Sequence, residues 1–74
     1  MKRRDLMPAS TADEILTTAE VAEITKIPSG TLRQWRHYRK GPRSFLLGGV
    51  PRYLRRDVDA WLAEQYAATE RPAS

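Results

Sequence analysis

From Leu16 to Leu62 the apolar positions form short patterns that change period twice. Val21, Ile24 and Thr25 lie three and four apart, the spacing of one helix face. Ahead of them, Thr17-Thr18-Ala19-Glu20 carries a threonine with a glutamate three residues on, the signature of a reciprocal N-terminal cap. The pattern predicts a helix from about Thr18 to Thr25. Lys26-Ile27-Pro28 breaks it, and proline suits the start of a helix, where a missing N–H is tolerated. A second helix should open at Pro28 or Ser29 and run to about Tyr38. At helical spacing Leu32 and Trp35 point one way, toward Val21, Ile24 and Ile27. Gly30, Arg33, Gln34 and His37 gather on the opposite arc, open to solvent or to a ligand. Gly41-Pro42 ends the helical pattern. Ser44–Leu47 and Arg52–Leu54 are short β-favouring segments around Gly48-Gly49-Val50-Pro51, which predicts a hairpin with a four-residue connection. Val58, Trp61, Leu62 and Tyr66 form a last helical stripe, predicting a third helix from about Arg56 to Tyr66. The expected class is mostly α with a small β-hairpin, three helices plus a two-stranded wing.

The flanks lack such order. Residues 1–14 read as a flexible arm with one helical turn near Ala12–Ile15, and residues 67–74 as a small, polar, flexible tail. The folded domain is expected over 15–66. At 74 residues the chain is one domain, near the size at which a single core barely suffices. It has no cysteine, so neither a disulfide framework nor a thiolate-bound zinc can staple it. No apolar run approaches the ~20 residues of a membrane span. Lys2-Arg3-Arg4 is not followed by an apolar segment, so a secretory signal is not expected. The cytoplasm is the expected compartment, in association with the nucleoid.

Charge changes the picture more than composition does. The net charge of +4 hides a strong asymmetry. Between Ser29 and Arg56 stand Arg33, Arg36, Arg39, Lys40, Arg43, Arg52, Arg55 and Arg56, with no acidic residue among them. Residues 5–28 hold Asp5, Asp13, Glu14, Glu20 and Glu23 against Lys26, and residues 57–74 hold Asp57, Asp59, Glu64 and Glu70 against Arg71. One electropositive zone on a neutral-to-acidic body is the electrostatic footprint of a polyanion partner. Two helices joined by a tight turn and followed by a basic hairpin hold double-stranded DNA by a major groove and a neighbouring groove or backbone.

The chain resembles the excisionase-type helix-turn-helix domains of the MerR superfamily, which are small winged-helix folds. The resemblance rests on L-T-T-A-E-V-A-E-I at 16–24, T-L-R-Q-W-R at 31–36, G-P at 41–42, L-G at 47–48, R-Y at 52–53 and R-D-V-D-A-W-L at 56–62. It covers about two thirds of the chain. It implies a phage or mobile-element protein without catalysis of its own (in the host cytoplasm if phage-encoded). Such a protein binds tandem sites cooperatively, bends DNA and directs an integrase toward excision. It also implies DNA contacts on Ser29, Gly30, Arg33, Gln34 and His37 of the recognition helix and on Arg52 of the wing. The family pattern has Gly where Lys26 stands and Ser where Pro28 stands. Lys26 is therefore expected in a left-handed conformation. The wing tip is also less basic than the family pattern.

Side-chain chemistry sharpens these roles. Arg33 is the candidate for a guanine contact, because its fork engages O6 and N7 together, and Gln34 can pair with adenine in the same way. Arg36, Arg39, Lys40, Arg43, Arg55 and Arg56 are expected as phosphate clamps, which set position and affinity rather than sequence. His37, the sole histidine, has no second ligand to share a metal and is expected to donate to phosphate. Trp35 and Trp61 could stack on single-stranded bases, but their spacing with Leu32, Val58 and Leu62 predicts core roles. Tyr53 is expected in the core with its hydroxyl free for a backbone or phosphate bond. Asp57 and Asp59 lie two apart on a helix start and point in different directions, so Asp57 is expected to serve the helix dipole rather than catalysis. With no nucleophile, metal cluster or phosphate-cradling glycine loop, neither enzymatic activity nor a cofactor is expected. Two alternatives stand beside the excisionase: a small transcriptional regulator on the same fold, and a protein-interaction module, which the basic zone disfavours. No effector domain is expected after the last helix, which favours an architectural role over ligand sensing. Self-association is expected on DNA rather than free in solution.

Overall fold

The computed structural model describes residues 11–70. A 3-10 turn at Thr11–Asp13 leads into β1 (Ile15–Leu16), α1 (Thr18–Thr25), α2 (Ser29–His37), β2 (Phe45–Leu47), β3 (Val50–Leu54) and α3 (Arg55–Thr69). These are the three helices and the antiparallel hairpin that the pattern predicts, in a mostly helical fold consistent with a winged helix-turn-helix.

Local chemistry explains both ends of α1. The Thr17 N–H donates to Glu20 Oε1 at 2.8 Å and the Glu20 N–H donates to Thr17 Oγ1 at 3.1 Å. Two N–H groups that the helix cannot satisfy internally are thereby bonded. At the other end Lys26 takes the left-handed conformation, φ 63° and ψ 24°, and its N–H bonds the Ala22 carbonyl at 2.8 Å. This closes the helix in the way a glycine usually does. Helix α2 ends by a related device. Arg39 adopts φ 56°, the Lys40 N–H bonds the Trp35 carbonyl at 2.8 Å, and the Arg39 N–H bonds the Arg36 carbonyl at 3.2 Å. That pair of bonds is a Schellman motif with an arginine in the left-handed position.

The sheet departs from expectation in two ways. It has three strands in the order β1-β3-β2, because Ile15 and Leu16 pair antiparallel with Leu54 and Tyr53. The Arg55 N–H continues the pairing to the Glu14 carbonyl at 2.9 Å. Residues 11–14, placed in the arm by sequence, are thus folded onto the domain, and the 3-10 turn packs on α3. Residues 1–10 of that arm, and 71–74 of the tail, lie outside the described residues. The hairpin connection is also two residues rather than four. Leu47 pairs with Val50, Leu46 with Pro51 and Phe45 with Arg52, which leaves only Gly48 and Gly49 in the turn. Both glycines have positive φ, 60° and 85°, as a tight type I′ hairpin turn requires. Helix α3 begins one residue before the expected start and extends through Thr69 rather than ending at Tyr66.

Leu16, Val21, Leu32, Tyr53 and Val58 are fully buried and form one cluster. Ala22, Ile24, Ile27, Trp35 and Leu62 pack against it half-buried. Trp35 and Trp61 meet with ring centroids 5.9 Å apart and tilted by 57°. Tyr66, expected on the buried stripe of α3, is 71% exposed because the last turns of that helix run beyond the core. Gly41 does more than end a helical pattern. Its φ is +81°, and a Cβ there would stand 2.8 Å from Trp35 Cε3. Gly41→Ala should therefore lower the unfolding free energy by about 1–3 kcal/mol through strain and overpacking. Lys26→Gly should raise it by up to about 1 kcal/mol by relieving the left-handed side-chain contact. Urea denaturation measures both; an unchanged midpoint for Gly41→Ala would mean that the Trp35 ring is not seated against this loop.

Candidate nucleic-acid interface

Helix α2 presents its polar arc outward because its apolar arc is committed to the core. Leu32 is buried and Trp35 half-buried, whereas Gly30, Arg33, Gln34 and His37 are exposed and Ser29 is half-buried at the helix start. Pro28 occupies the capping position, one residue before the first helical position expected for it. It supplies no side-chain cap, so the first turn of α2 is open to an anion.

The wing stands beside this arc. Leu46 and Pro51, a cross-strand pair on one face of the hairpin, line a groove together with Arg33, Arg36, His37 and Ser44. A second concavity follows it, lined by Arg36, Arg39, Lys40, Gly41, Pro42, Arg43 and Ser44. The left-handed Arg39 and the positive-φ Gly41 fold this loop back on α2, and Lys40 lies with its Nζ 5.6 Å from the centre of the Trp35 ring. Helix arc, loop and wing therefore join into one continuous surface bearing arginine, lysine and histidine, and no carboxylate occurs between Ser29 and Arg56.

A family model for the helix-turn-helix domain matches residues 15–66, well over half of the chain. The chain belongs to the helix-turn-helix domain family. No curated protein and no solved structure matches it. The family includes excisionase-like DNA-binding domains, and a helix-turn-helix domain implies sequence-specific DNA binding.

Within this helix-turn-helix domain the arginines separate into four groups that charge alone did not distinguish. Arg33, Arg39 and Arg43 are exposed and their side chains make no hydrogen bond or ion pair among the described residues, so their charge is available to a ligand. Arg52, half-buried on β3, donates to the neighbouring Pro51 carbonyl at 2.7 Å and lies on the hairpin face opposite Leu46. Arg36, expected as a phosphate clamp, is instead an internal strut. Its Nη1 donates to Thr18 Oγ1 at 3.1 Å and to Tyr53 Oη at 2.9 Å, and its guanidinium sits 6.0 Å from the Tyr53 ring centre. The Tyr53 hydroxyl, expected to be free, is the acceptor of that bond. Arg55 and Arg56 are already paired with carboxylates. Arg55 reaches Glu14 at 3.4 Å and Asp59 at 3.5 Å, and Arg56 reaches Asp13 at 2.9 Å. The Arg56–Asp13 pair ties the 3-10 turn to α3, Arg55–Glu14 ties the residue after the turn, and Arg55–Asp59 lies within α3; such pairs are individually weak.

Arg39, expected only as a phosphate clamp, lines the same concavity as Lys40 and Arg43, whereas Ser44, Leu46 and Pro51 of the groove were not site candidates in the sequence. The signal for Arg39 was the loop between helix and hairpin, where Arg39, Lys40 and Arg43 bracket Gly41-Pro42.

The groups should respond differently to substitution. Arg33→Ala should leave thermal stability unchanged, weaken binding to a selected site by roughly 1–3 kcal/mol and relax preference at one base pair. Arg36→Met keeps the stem but removes the donors. It should lower stability by about 1–3 kcal/mol, since bonds to a charged group are lost and the buried Tyr53 hydroxyl loses its partner. Thermal melts together with site selection from a random duplex pool check both; an Arg36 variant of full stability and altered base preference would reverse the two assignments. Removing Arg39 or Arg43 should reduce the slope of log affinity against log salt by about 0.9 each. Arg56→Ala should change that slope much less.

Proposed function

We propose that this helix-turn-helix domain is an excisionase of the MerR-superfamily type, encoded by a phage or mobile element. In this reading it has no catalytic activity and acts through the shape it imposes on DNA. The carrying observation is the economy of the reading head. Helix α2 has 9 residues, about 14 Å of helix, with Arg33, Gln34 and His37 on its exposed arc. Such an arc reads only a few base pairs, too few for a site to stand out in a genome. The loop and wing add phosphate attraction, which sets affinity without sequence. Specificity then has to come from several copies on adjacent sites, from a partner bound beside them, or from both.

The charge pattern supports the same reading. The groove between α2 and the wing and the concavity after it are lined without a carboxylate and fit one DNA segment, while the acidic residues of α1 and α3 leave the remainder of the domain free to approach a neighbour's basic flank. Protomers on tandem sites would meet through wings, N-terminal segments or last helices, and curvature of the DNA would bring them closer. The integrase is the partner whose direction such an assembly would set.

Sedimentation should show weak or no self-association of the free protein. A circular-permutation mobility assay should show cooperative occupancy of tandem sites and a bent complex. Excision in vitro by the cognate integrase should depend on the protein. A stable free dimer on a single palindrome, with straight DNA, would sink the excisionase and leave a simple transcriptional regulator.

A further inference from the structure

The wing carries a feature that phosphate attraction does not use. Leu46 is 70% exposed, Leu47 49% and Val50 45%, and all three flank the Gly48-Gly49 turn. No basic residue stands between Arg43 and Arg52. An exposed apolar hairpin end is unfavourable in water and needs an occupant.

The surroundings of this tip select the occupant. Arg33 and His37 face Leu46 and Pro51 across the groove between α2 and the wing, and Arg43 precedes the hairpin. Apolar side chains set among cations, without a carboxylate from Ser29 to Arg56, match a polyanion whose interior is apolar. Duplex DNA is such a ligand, with charged phosphates outside and stacked bases inside. Shape agrees with charge. The turn consists of two glycines with no side chains, and the space that a Cβ would enter at either is empty out to 4 Å. A minor groove is only about 6 Å wide, so whatever enters it first must be slim. A bare glycine turn is slim enough to lead such a hairpin in, with the cross-strand pair Leu47–Val50 directly behind it.

Resting on the DNA-binding reading above, we infer that the wing tip is an apolar wedge. With α2 in a major groove, the tip enters the adjacent minor groove. There Leu47 and Val50, paired on one face of the hairpin, press into a base step, partly unstack it and kink the duplex toward the major groove. Apolar side chains in minor grooves act in this way, with kinks of roughly 20–90°. The step that opens most easily is a pyrimidine–purine step such as TA or CA. The wedge therefore adds a preference at a position that no side chain reads by hydrogen bonds. It also makes the bend a property of each bound protomer rather than only of the assembled array.

The test uses the full chain on a single site enriched from a random duplex pool. 2-Aminopurine is placed in turn at each step flanking that site. The variants are Leu47→Ala/Val50→Ala, and Leu47→Thr/Val50→Thr, which retains strand-favouring β-branched residues. Thermal melts of both should match the parent, because the altered side chains are exposed. The parent should raise 2-aminopurine fluorescence at one flanking step and bend the single-site duplex. Both variants should abolish the fluorescence gain and lose more than half of the bend. The salt slope should stay the same, because no charge has changed. Undiminished fluorescence and bend in the variants would overturn the wedge. So would a defect confined to occupancy of adjacent sites, which would make the patch a protein contact. Failure of the parent to bind any duplex would bring down the DNA-binding reading itself. Tight, salt-dependent binding without bend or unstacking at a single site would bring down the wedge alone.

Discussion

The relation between recognition helix and wing depends on one guanidinium. Tyr53 is 1% exposed, and a buried hydroxyl without a partner is strongly unfavourable. Arg36 supplies the partner from α2 and at the same time bonds Thr18 at the start of α1. A single side chain thereby joins both helices of the helix-turn-helix unit to β3. The bonds are charge-assisted and so stronger than neutral ones. They fix the angle at which the arc of Arg33, Gln34 and His37 stands relative to the hairpin. For a surface proposed to fit two grooves of a duplex at once, that angle is best set before binding, since ordering it during binding would subtract from affinity.

This strut also shows where sequence reasoning succeeds and where it stops. The cap at Thr17 and Glu20, the left-handed Lys26 and the two arcs of α2 were legible because each is set within three or four residues. Arg36 was misplaced by its charge. On a helical wheel it lies about 40° from Leu32, inside the apolar arc, so the angle was a better guide than the side-chain type. Strand β1 had no local signal. It has two residues, Ile15 exposed and Leu16 buried, and its pairing with Leu54 and Tyr53 spans most of the chain. Pro51 made Val50-Pro51 resemble a connection, since proline cannot donate to a ladder. The structure tolerates it because β1 pairs β3 only at Tyr53 and Leu54. At Pro51 the strand has a neighbour on one side alone.

The same division by position rather than by charge governs the basic zone. Eight cations appear uniform along the sequence between Ser29 and Arg56. In the fold one braces the interior, two hold the 3-10 turn and the residue after it through exposed ion pairs, and the others spread over the helix arc, loop and wing. The binding surface is consequently narrower than the sequence suggests and lies on the side that the wing shares with α2. In the proposed reading its chemistry is layered, with base-reading groups on α2, phosphate attraction in the loop and apolar contact at the hairpin end.

Two helix ends show what this arrangement asks of stability. Both α1 and α2 close through a left-handed residue, and at both positions the chain has a long cation, Lys26 and Arg39, where glycine would be less strained. In a domain whose core cluster, among the described residues, consists of Leu16, Val21, Leu32, Tyr53 and Val58, strain of this kind is a sizeable fraction of the net folding free energy. Mutual repulsion within a carboxylate-free zone adds to it. A bound polyanion offsets both, because any ligand that binds only the folded state shifts the equilibrium toward folding. Glycine, by contrast, stands at Gly41, where a Cβ would meet Trp35, and at the hairpin turn, where two successive positive φ angles are needed. The placement of cations and glycines thus follows one physical rule. A long side chain stands at positive φ where it can still be accommodated, and glycine remains at Gly41, where a Cβ would collide with Trp35, and in the two-residue hairpin turn.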